Sequence, residues 1–251
     1  MLTGALQRKD SIYWMGQIVL AALALLLVWA TCYREPILSR DGTFYAERIL
    51  AKIGNGQAIY HDDFNKPPLF ILGAYCIYRC SGCGVEMALW LLNALALAWS
   101  VFPMAHVGRS LLHSRAAALF CAAWLITSPL LLEDVRGGTR EPLFICFGVF
   151  SLAFAFGSDT GSWRGRWETA LSAVFGVFSA LTRFEGLGFI LFSFLIIVFK
   201  NRAGLSAARK ALLGAVFVFV GGLTLLILAF ASTEIRIFLL GWCAKLVKFK
   251  I

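Results

Sequence analysis

Charge is scarce in this chain of 251 residues: Asp, Glu, Lys and Arg make up 15% of it, against about a quarter of an average soluble domain. With 60% of the residues hydrophobic, that scarcity excludes an ordinary water-soluble globular protein. Proline is also sparse, at 6, and no low-complexity tract is present, so collagen-like and disordered classes drop out. Only three histidines occur, His61, His106 and His113, and none is spaced to complete a zinc site with the clustered Cys76, Cys80 and Cys83. Cys32, Cys121 and Cys146 sit in or beside apolar blocks, where they act as small hydrophobes. The net charge of +9 carries no basic run and no basic face, which excludes nucleic acid as a partner. Lys and Arg stand instead at the ends of apolar blocks, as in membrane proteins that orient their helices by charge.

Blocks that can cross about 30 Å of hydrocarbon lie at 14–32, 85–106, 116–132, 142–157, 167–182, 186–200 and 211–231. The expected fold is all-α, a single polytopic module of about seven transmembrane helices. Arg8 and Lys9 precede the first block, but Tyr33, Arg34 and Glu35 follow it where a signal peptide would have small residues, so this span is read as uncleaved. Pro67 to Tyr78 reaches only about 18 Å as a helix and is read as re-entrant or interfacial. Seven crossings then gather Arg8, Lys9, Arg109, Arg115, Arg164, Arg166, Lys200, Arg202, Arg209 and Lys210 on one side, which predicts a cytoplasmic N-terminus. Nearly all carboxylates fall on the other side, most of them in the first outer loop, 33–84, or beside Glu133, Asp134, Glu141 and Glu185. The tail, 232–251, mixes Lys with apolar residues and reads as an interfacial segment on membrane lipid.

Within the outer loop, Ala46, Ile49, Leu50 and Ile53 recur at helical spacing, with Glu47, Arg48 and Lys52 opposite, so a short helix lies on the membrane surface. Gly54 and Gly56 mark its end, and Asp41 stands at its start, where the helix dipole favours an anion. Pro67-Pro68 pins Lys66 at the start of the short apolar block. A carboxylate at the mouth of a membrane cavity takes a proton from an attacking hydroxyl, and a nearby lysine takes charge developing on a phosphate. The plain alternative is a helix-capping aspartate and a snorkelling lysine. Glu141 and Asp134 are candidates for a divalent ion, Mg or Mn, unless Glu141 only pairs with Arg136 or Arg140. Arg183 and Glu185 form a charge pair at a turn, either solvated or lining a pocket.

Arg40-Asp41-Gly42 with Tyr45, then Gly54 and Gly56, then Asn65-Lys66-Pro67-Pro68-Leu69, resemble the first outer loop of GT-C fold glycosyltransferases. These include protein O-mannosyltransferases, aminoarabinose transferases acting on lipid A, and sugar transferases of rhizobial lipopolysaccharide. The resemblance continues through Arg109 to Arg115 and through Thr139-Arg140-Glu141-Pro142-Leu143. It implies inverting transfer of a sugar from a polyprenyl-phosphate donor to a lipid, glycan or protein of the cell envelope, at the outer face of a bacterial inner membrane. By the same resemblance Asp41 is the catalytic or acceptor-orienting acid, and the donor phosphate falls to Lys66, then Arg183 or Arg136. Tyr45, Asp62, Asp63, Arg140 and Glu185 would line the acceptor site or cavity, with Asp41, Lys66 and Glu141 converging there. Many relatives have Asp-Glu where this chain has Asp41-Gly42, which passes any second carboxylate role to Glu141, Asp62 or Asp63. Relatives also run well past 251 residues, so the chain is expected to match their N-terminal membrane module, with a further half or partner subunit elsewhere. A non-catalytic membrane subunit is the alternative. A small transporter fits less well, because no internal repeat is visible and ionisable residues gather at span ends.

Overall fold

The computed structural model describes residues 2–34, 38–55, 68–158 and 162–200. Those residues form α1 (Leu2–Arg34), α2 (Arg40–Asn55), α3 (Leu69–Ser81), α4 (Val85–Leu112), α5 (Arg115–Ile126), α6 (Pro129–Arg136), α7 (Glu141–Gly157), α8 (Trp163–Thr182) and α9 (Gly186–Lys200). Asp62, Asp63 and Lys66, the expected span 211–231 and the tail 232–251 lie outside the described residues.

α1 and α4 are each long and apolar enough to cross a membrane. The first exposes apolar side chains such as Ile12, Met15, Ile18, Val19, Leu26 and Trp29 around its surface, as a lipid-facing helix does. The block expected as one span at 116–132 is instead two helices, α5 and α6, bent by 42° at Thr127–Ser128. The physical reason is Pro129, which cannot donate to the preceding turn and opens α6 as its first residue. α3 has 13 residues, about 20 Å of helix, and stops at Gly82, whose left-handed φ of 67° only glycine adopts freely.

α4 is the shared wall of two cores. On one side Leu89 and Ala96 pack with Tyr45, Ile49, Phe70, Ile71, Leu143, Val177 and Leu181 of α2, α3, α7 and α8. On the other, Trp90, Leu97 and Val101 pack with Tyr13, Val28, Ala122, Ile126, Leu131 and Val135 of α1, α5 and α6. Hydrocarbon competes with side chains for apolar contact, so helix association inside a bilayer depends on small residues and on hydrogen bonds between helices. The chain uses both. The Ser151 hydroxyl donates to Ser172 O (2.8 Å) and meets the Ser193 hydroxyl (2.8 Å), while Ser172 donates back to Ser151 O (2.8 Å), tying α7, α8 and α9 together. At Gly148 a methyl group would lie 2.3 Å from the Phe189 ring, so the missing side chain is what seats α9 on α7.

The helices run between two ends of different chemistry. At one end Asp10 pairs with Arg115, Arg109 lies over the Tyr13 ring, Arg164 pairs with Glu168 (3.0 Å), and Lys200 donates to Phe156 O. At the other end stand Asp41, Arg136, Glu141 and Arg183. α2 begins here because the Ser39 hydroxyl accepts from Gly42 N (3.1 Å) and caps its first turn. Its buried stripe is Tyr45, Ala46 and Ile49, whereas Leu50 and Ile53 are exposed. The helix is therefore rotated from the stripe that spacing alone suggests, burying the tyrosine and turning two aliphatics outward.

Candidate functional site

The site is organised by the turn between α6 and α7. Gly137 O accepts from both Ser39 N (3.0 Å) and the Ser39 hydroxyl (2.8 Å), which fastens the start of α2 to the turn. The approach is so close that a Cβ on Gly42 would stand 2.1 Å from Gly137 O. No side chain, a carboxylate included, fits at position 42. Gly138 completes the turn with φ 66°, and Thr139 closes it by donating N–H to Asp134 O (3.0 Å). From α4, the Trp90 indole N–H donates to Arg136 O (3.0 Å) and the Asn93 amide donates to Thr139 O (2.8 Å).

Asp41 is exposed in the first turn of α2, one turn from Tyr45, which is 1% exposed and packs edge-on against Phe70. Burial pushes the Tyr45 phenol well above its usual range. Arg140 and Arg183 pull it down, and Asp41 and Glu141 push it up. Residues from α2, the start of α7 and the α8–α9 turn therefore share one electrostatic neighbourhood. Asp134 belongs to it as well, within the fields of Glu141 and Arg183.

Arg183 is the cation at its centre, and two carboxylates hold it. Its Nη1 donates to Glu141 Oε1, while Nε and Nη2 donate to the two oxygens of Glu185 at 3.2 and 2.7 Å. These bonds keep the Glu185 carboxyl below its usual range. Glu141 thus pairs with Arg183, not with Arg136 or Arg140 as sequence proximity suggested, and the α8–α9 turn is one wall of the cluster. With Glu141 Oε1 committed and Arg140 next to it, Glu141 and Asp134 do not make a metal site by themselves. Among the described residues no group of three or more His, Cys, Asp or Glu is gathered around a common point, and this includes Cys76, Cys80 and Cys83.

Arg136 lies elsewhere, beside an apolar groove between α1 and α4. This groove of about 550 Å³ is lined by Leu25, Val28, Trp29, Cys32, Tyr33, Met87, Trp90, Leu91 and Ala94. Arg136 is near enough to Cys32 to act on it electrostatically, and its carbonyl holds the Trp90 indole. Sequence reasoning missed Asn93 and Ser39. Asn93 was detectable, as a lone amide within the apolar block 85–106 whose side chain must face protein to be tolerated.

No family model matches the sequence, and no curated protein sequence does. Solved structures do match in fold. ArnT from Cupriavidus metallidurans bound to undecaprenyl phosphate superposes with a TM-score of 0.65 at 18% identity, over 87% of this chain and 42% of that one. The apo state of the same protein gives 0.64 at 19% identity, over 90% of this chain and 43% of that one. The chain thus spans less than half the length of the solved proteins it resembles. Its helix order, its polar cluster at one end of an apolar bundle and this likeness together make it a helical membrane protein of GT-C fold.

Proposed function

We propose that the chain is the membrane module of a glycosyltransferase that moves a sugar from a polyprenyl-phosphate donor, with inversion, at the outer face of a bacterial inner membrane, its N-terminus in the cytoplasm. The observation that carries this reading is the polar cluster itself. Asp41 and Glu141, a hundred residues apart, bear on the same buried phenol at one end of an otherwise apolar GT-C bundle. A solvated rim of charges would not require that convergence. ArnT, bound to undecaprenyl phosphate in its crystal structure, supports a lipid-linked donor.

In this reading the acceptor hydroxyl attacks the anomeric carbon from the side opposite the phosphate and gives its proton to Asp41. The bond from the anomeric carbon to the phosphate oxygen breaks, and its electron pair leaves on polyprenyl phosphate. An exposed aspartate is a weak base, so most of the acceleration comes from holding the reactants in line and from cations at the leaving phosphate. Lys66 is assigned that phosphate. Arg136 is assigned the head of the lipid-facing groove between α1 and α4, where the prenyl tail lies. Arg183, held by Glu141 and Glu185, is assigned a structural role in the cavity wall.

The test is transfer of radiolabelled sugar from polyprenyl-phosphate donors in membranes carrying the wild-type chain or Asp41→Asn. Transfer that falls by about 10²- to 10⁴-fold in the variant, with unchanged expression, supports the assigned base. Equal transfer from both removes Asp41 from the chemistry. No transfer from either points to a non-catalytic membrane subunit.

A further inference from the structure

The basic end of the bundle carries a second groove, apart from the one between α1 and α4. It encloses about 320 Å³ between α7 and α9 and is lined by Phe156, Phe192, Leu195, Ile196, Phe199 and Lys200. All of these but Lys200 are aromatic or aliphatic, so the groove itself offers a polar ligand nothing. From Phe192 to Lys200 it follows about 12 Å of α9, close to the depth of one leaflet, which is half of about 30 Å of hydrocarbon. Phe192 and Phe199 are each 62% exposed, so the groove opens away from the bundle, toward lipid.

Lys200 closes the groove at its basic end. Its ammonium donates to Phe156 O in the last turn of α7, where the helix dipole favours a cation. An ammonium has three N–H groups, and among the described residues the others remain for an anion. Arg109 of α4, Arg164 of α8 and Lys200 of α9 all act electrostatically on His106, and with them stands one carboxylate, Glu168. Three cations to one carboxylate leave this neighbourhood two charges positive. Glu168 pairs with Arg164 at 3.0 Å and lies against Gly157, next to Phe156. That contact sets the start of α8 level with Lys200. Trp163 and Trp167, exposed there with their rings edge to face at 5.8 Å, are the side chains that favour the membrane–water interface. Lys200 therefore stands at headgroup depth, and the groove runs from it into hydrocarbon.

An acyl chain suits the lining and a phosphate suits the mouth. We propose that the α7–α9 groove binds an anionic glycerophospholipid of the leaflet at the basic end, with one acyl chain along Phe192 to Phe199 and the headgroup phosphate on Lys200. A zwitterionic lipid presents the same chain and phosphate, but its headgroup cation meets a mouth that is already two charges positive. The site requires the membrane reading of the fold and not the glycosyl transfer proposed above.

The test photolabels the full chain in nanodiscs with phosphatidylglycerol or phosphatidylcholine, each carrying a diazirine midway along one acyl chain, and maps the adducts by peptide mass spectrometry. Phosphatidylglycerol should label the segment from Phe192 to Phe199 about fivefold more than phosphatidylcholine, the worth of one lysine at an anionic headgroup. Lys200→Gln should bring the two lipids level there. Arg166→Gln, which removes an exposed cation over the Trp163 ring at the same end, should leave the preference intact. Unchanged phosphatidylcholine labelling of α1 reports that each variant is folded. Equal labelling of wild type by the two lipids would overturn the site, since ordinary surrounding lipid then fills the groove. A preference that survives Lys200→Gln, or that is lost in Arg166→Gln, would overturn it in favour of diffuse surface charge. No label on the segment from either lipid would overturn it too, with protein covering this face, and displacement of the label by an equal amount of polyprenyl phosphate would give the groove to that lipid instead.

Discussion

Gly42→Ala tests whether the α2–turn contact holds the site together. The new Cβ would lie 2.1 Å from Gly137 O, 3.1 Å from Gly137 C and 3.3 Å from Leu38 Cβ, and the first two neighbours are backbone, which cannot rotate away. A carbon and an oxygen need more than 3 Å, so the start of α2 must retreat by about 1 Å, enough to break the Ser39–Gly137 bonds. Overpacking of this kind costs about 1–3 kcal/mol, offset by up to about 1 kcal/mol of helix propensity gained in α2. The net expectation is a loss of about 1–2 kcal/mol, read as a lower melting temperature in detergent. Gly188→Ala is the matched control: it lies in α9 with nothing within 4 Å of its Cβ, so only propensity acts and a gain of up to about 1 kcal/mol is expected. Under the proposed function, displacing Asp41 by about 1 Å should also cost about 10²-fold in sugar transfer, which Gly188→Ala leaves untouched. A Gly42→Ala chain that melts and transfers like wild type would refute the argument that this approach positions the base.

Arg183→Lys should weaken the α7–α9 end of the site, since one ammonium cannot serve Glu141 and both oxygens of Glu185; with side chains only partly buried, a loss of about 1 kcal/mol in detergent unfolding is expected. The contribution of Glu185 carries a pH signature. Its carboxyl is held below its usual range, so its stabilisation is present above the unfolded-state pKa of about 4.3 and is lost as pH falls through the folded value. The melting curves of wild type and Glu185→Gln should therefore differ slightly at neutral pH and converge in acid; divergence in acid would contradict the assigned sign. Ser151→Ala removes both hydroxyl contacts at the α7–α8–α9 junction and should cost about 1 kcal/mol, whereas Ser162→Ala removes a helix cap at the opposite end and should leave sugar transfer unchanged.

Hydropathy made the bundle legible, because lipid selects long apolar blocks and charge collects where those blocks end. The amphipathic α2 and the Arg183–Glu185 turn were visible for related reasons: spacing of three and four exposes one helix face, and a charge pair between apolar blocks can only mark a turn. What hydropathy does not contain is the rotation of each helix about its axis. That rotation decides whether Tyr45 or Leu50 is buried, and whether Asn93 faces protein or lipid. It also decides which arginine meets Glu141, since the true partner lies 42 residues away while two others stand within five. The bend at Thr127–Ser128 was signalled by Pro129 but hidden by the apolar character of its neighbours, which averages a break into a continuous span.

The segment from Arg136 to Arg140 resolves why these separately legible pieces form one site. Its carbonyls are shared among elements: Arg136 O takes the Trp90 indole of α4, Gly137 O takes Ser39 ahead of α2, Thr139 O takes the Asn93 amide, and Arg140 O starts α7 through Phe144 N. Two glycines in succession are what allow this. Gly137 leaves no side chain between the turn and Ser39, where a Cβ would meet the Ser39 side chain at 3.0 Å, and Gly138 supplies the left-handed bend. The aspartate on α2, the amide on α4 and the arginine and glutamate opening α7 are therefore referenced to the same five backbone units. Groups fixed to one turn keep their separations when surrounding helices shift in the bilayer, which is the positional constancy that a hydroxyl, an anomeric carbon and a leaving phosphate held in line would require.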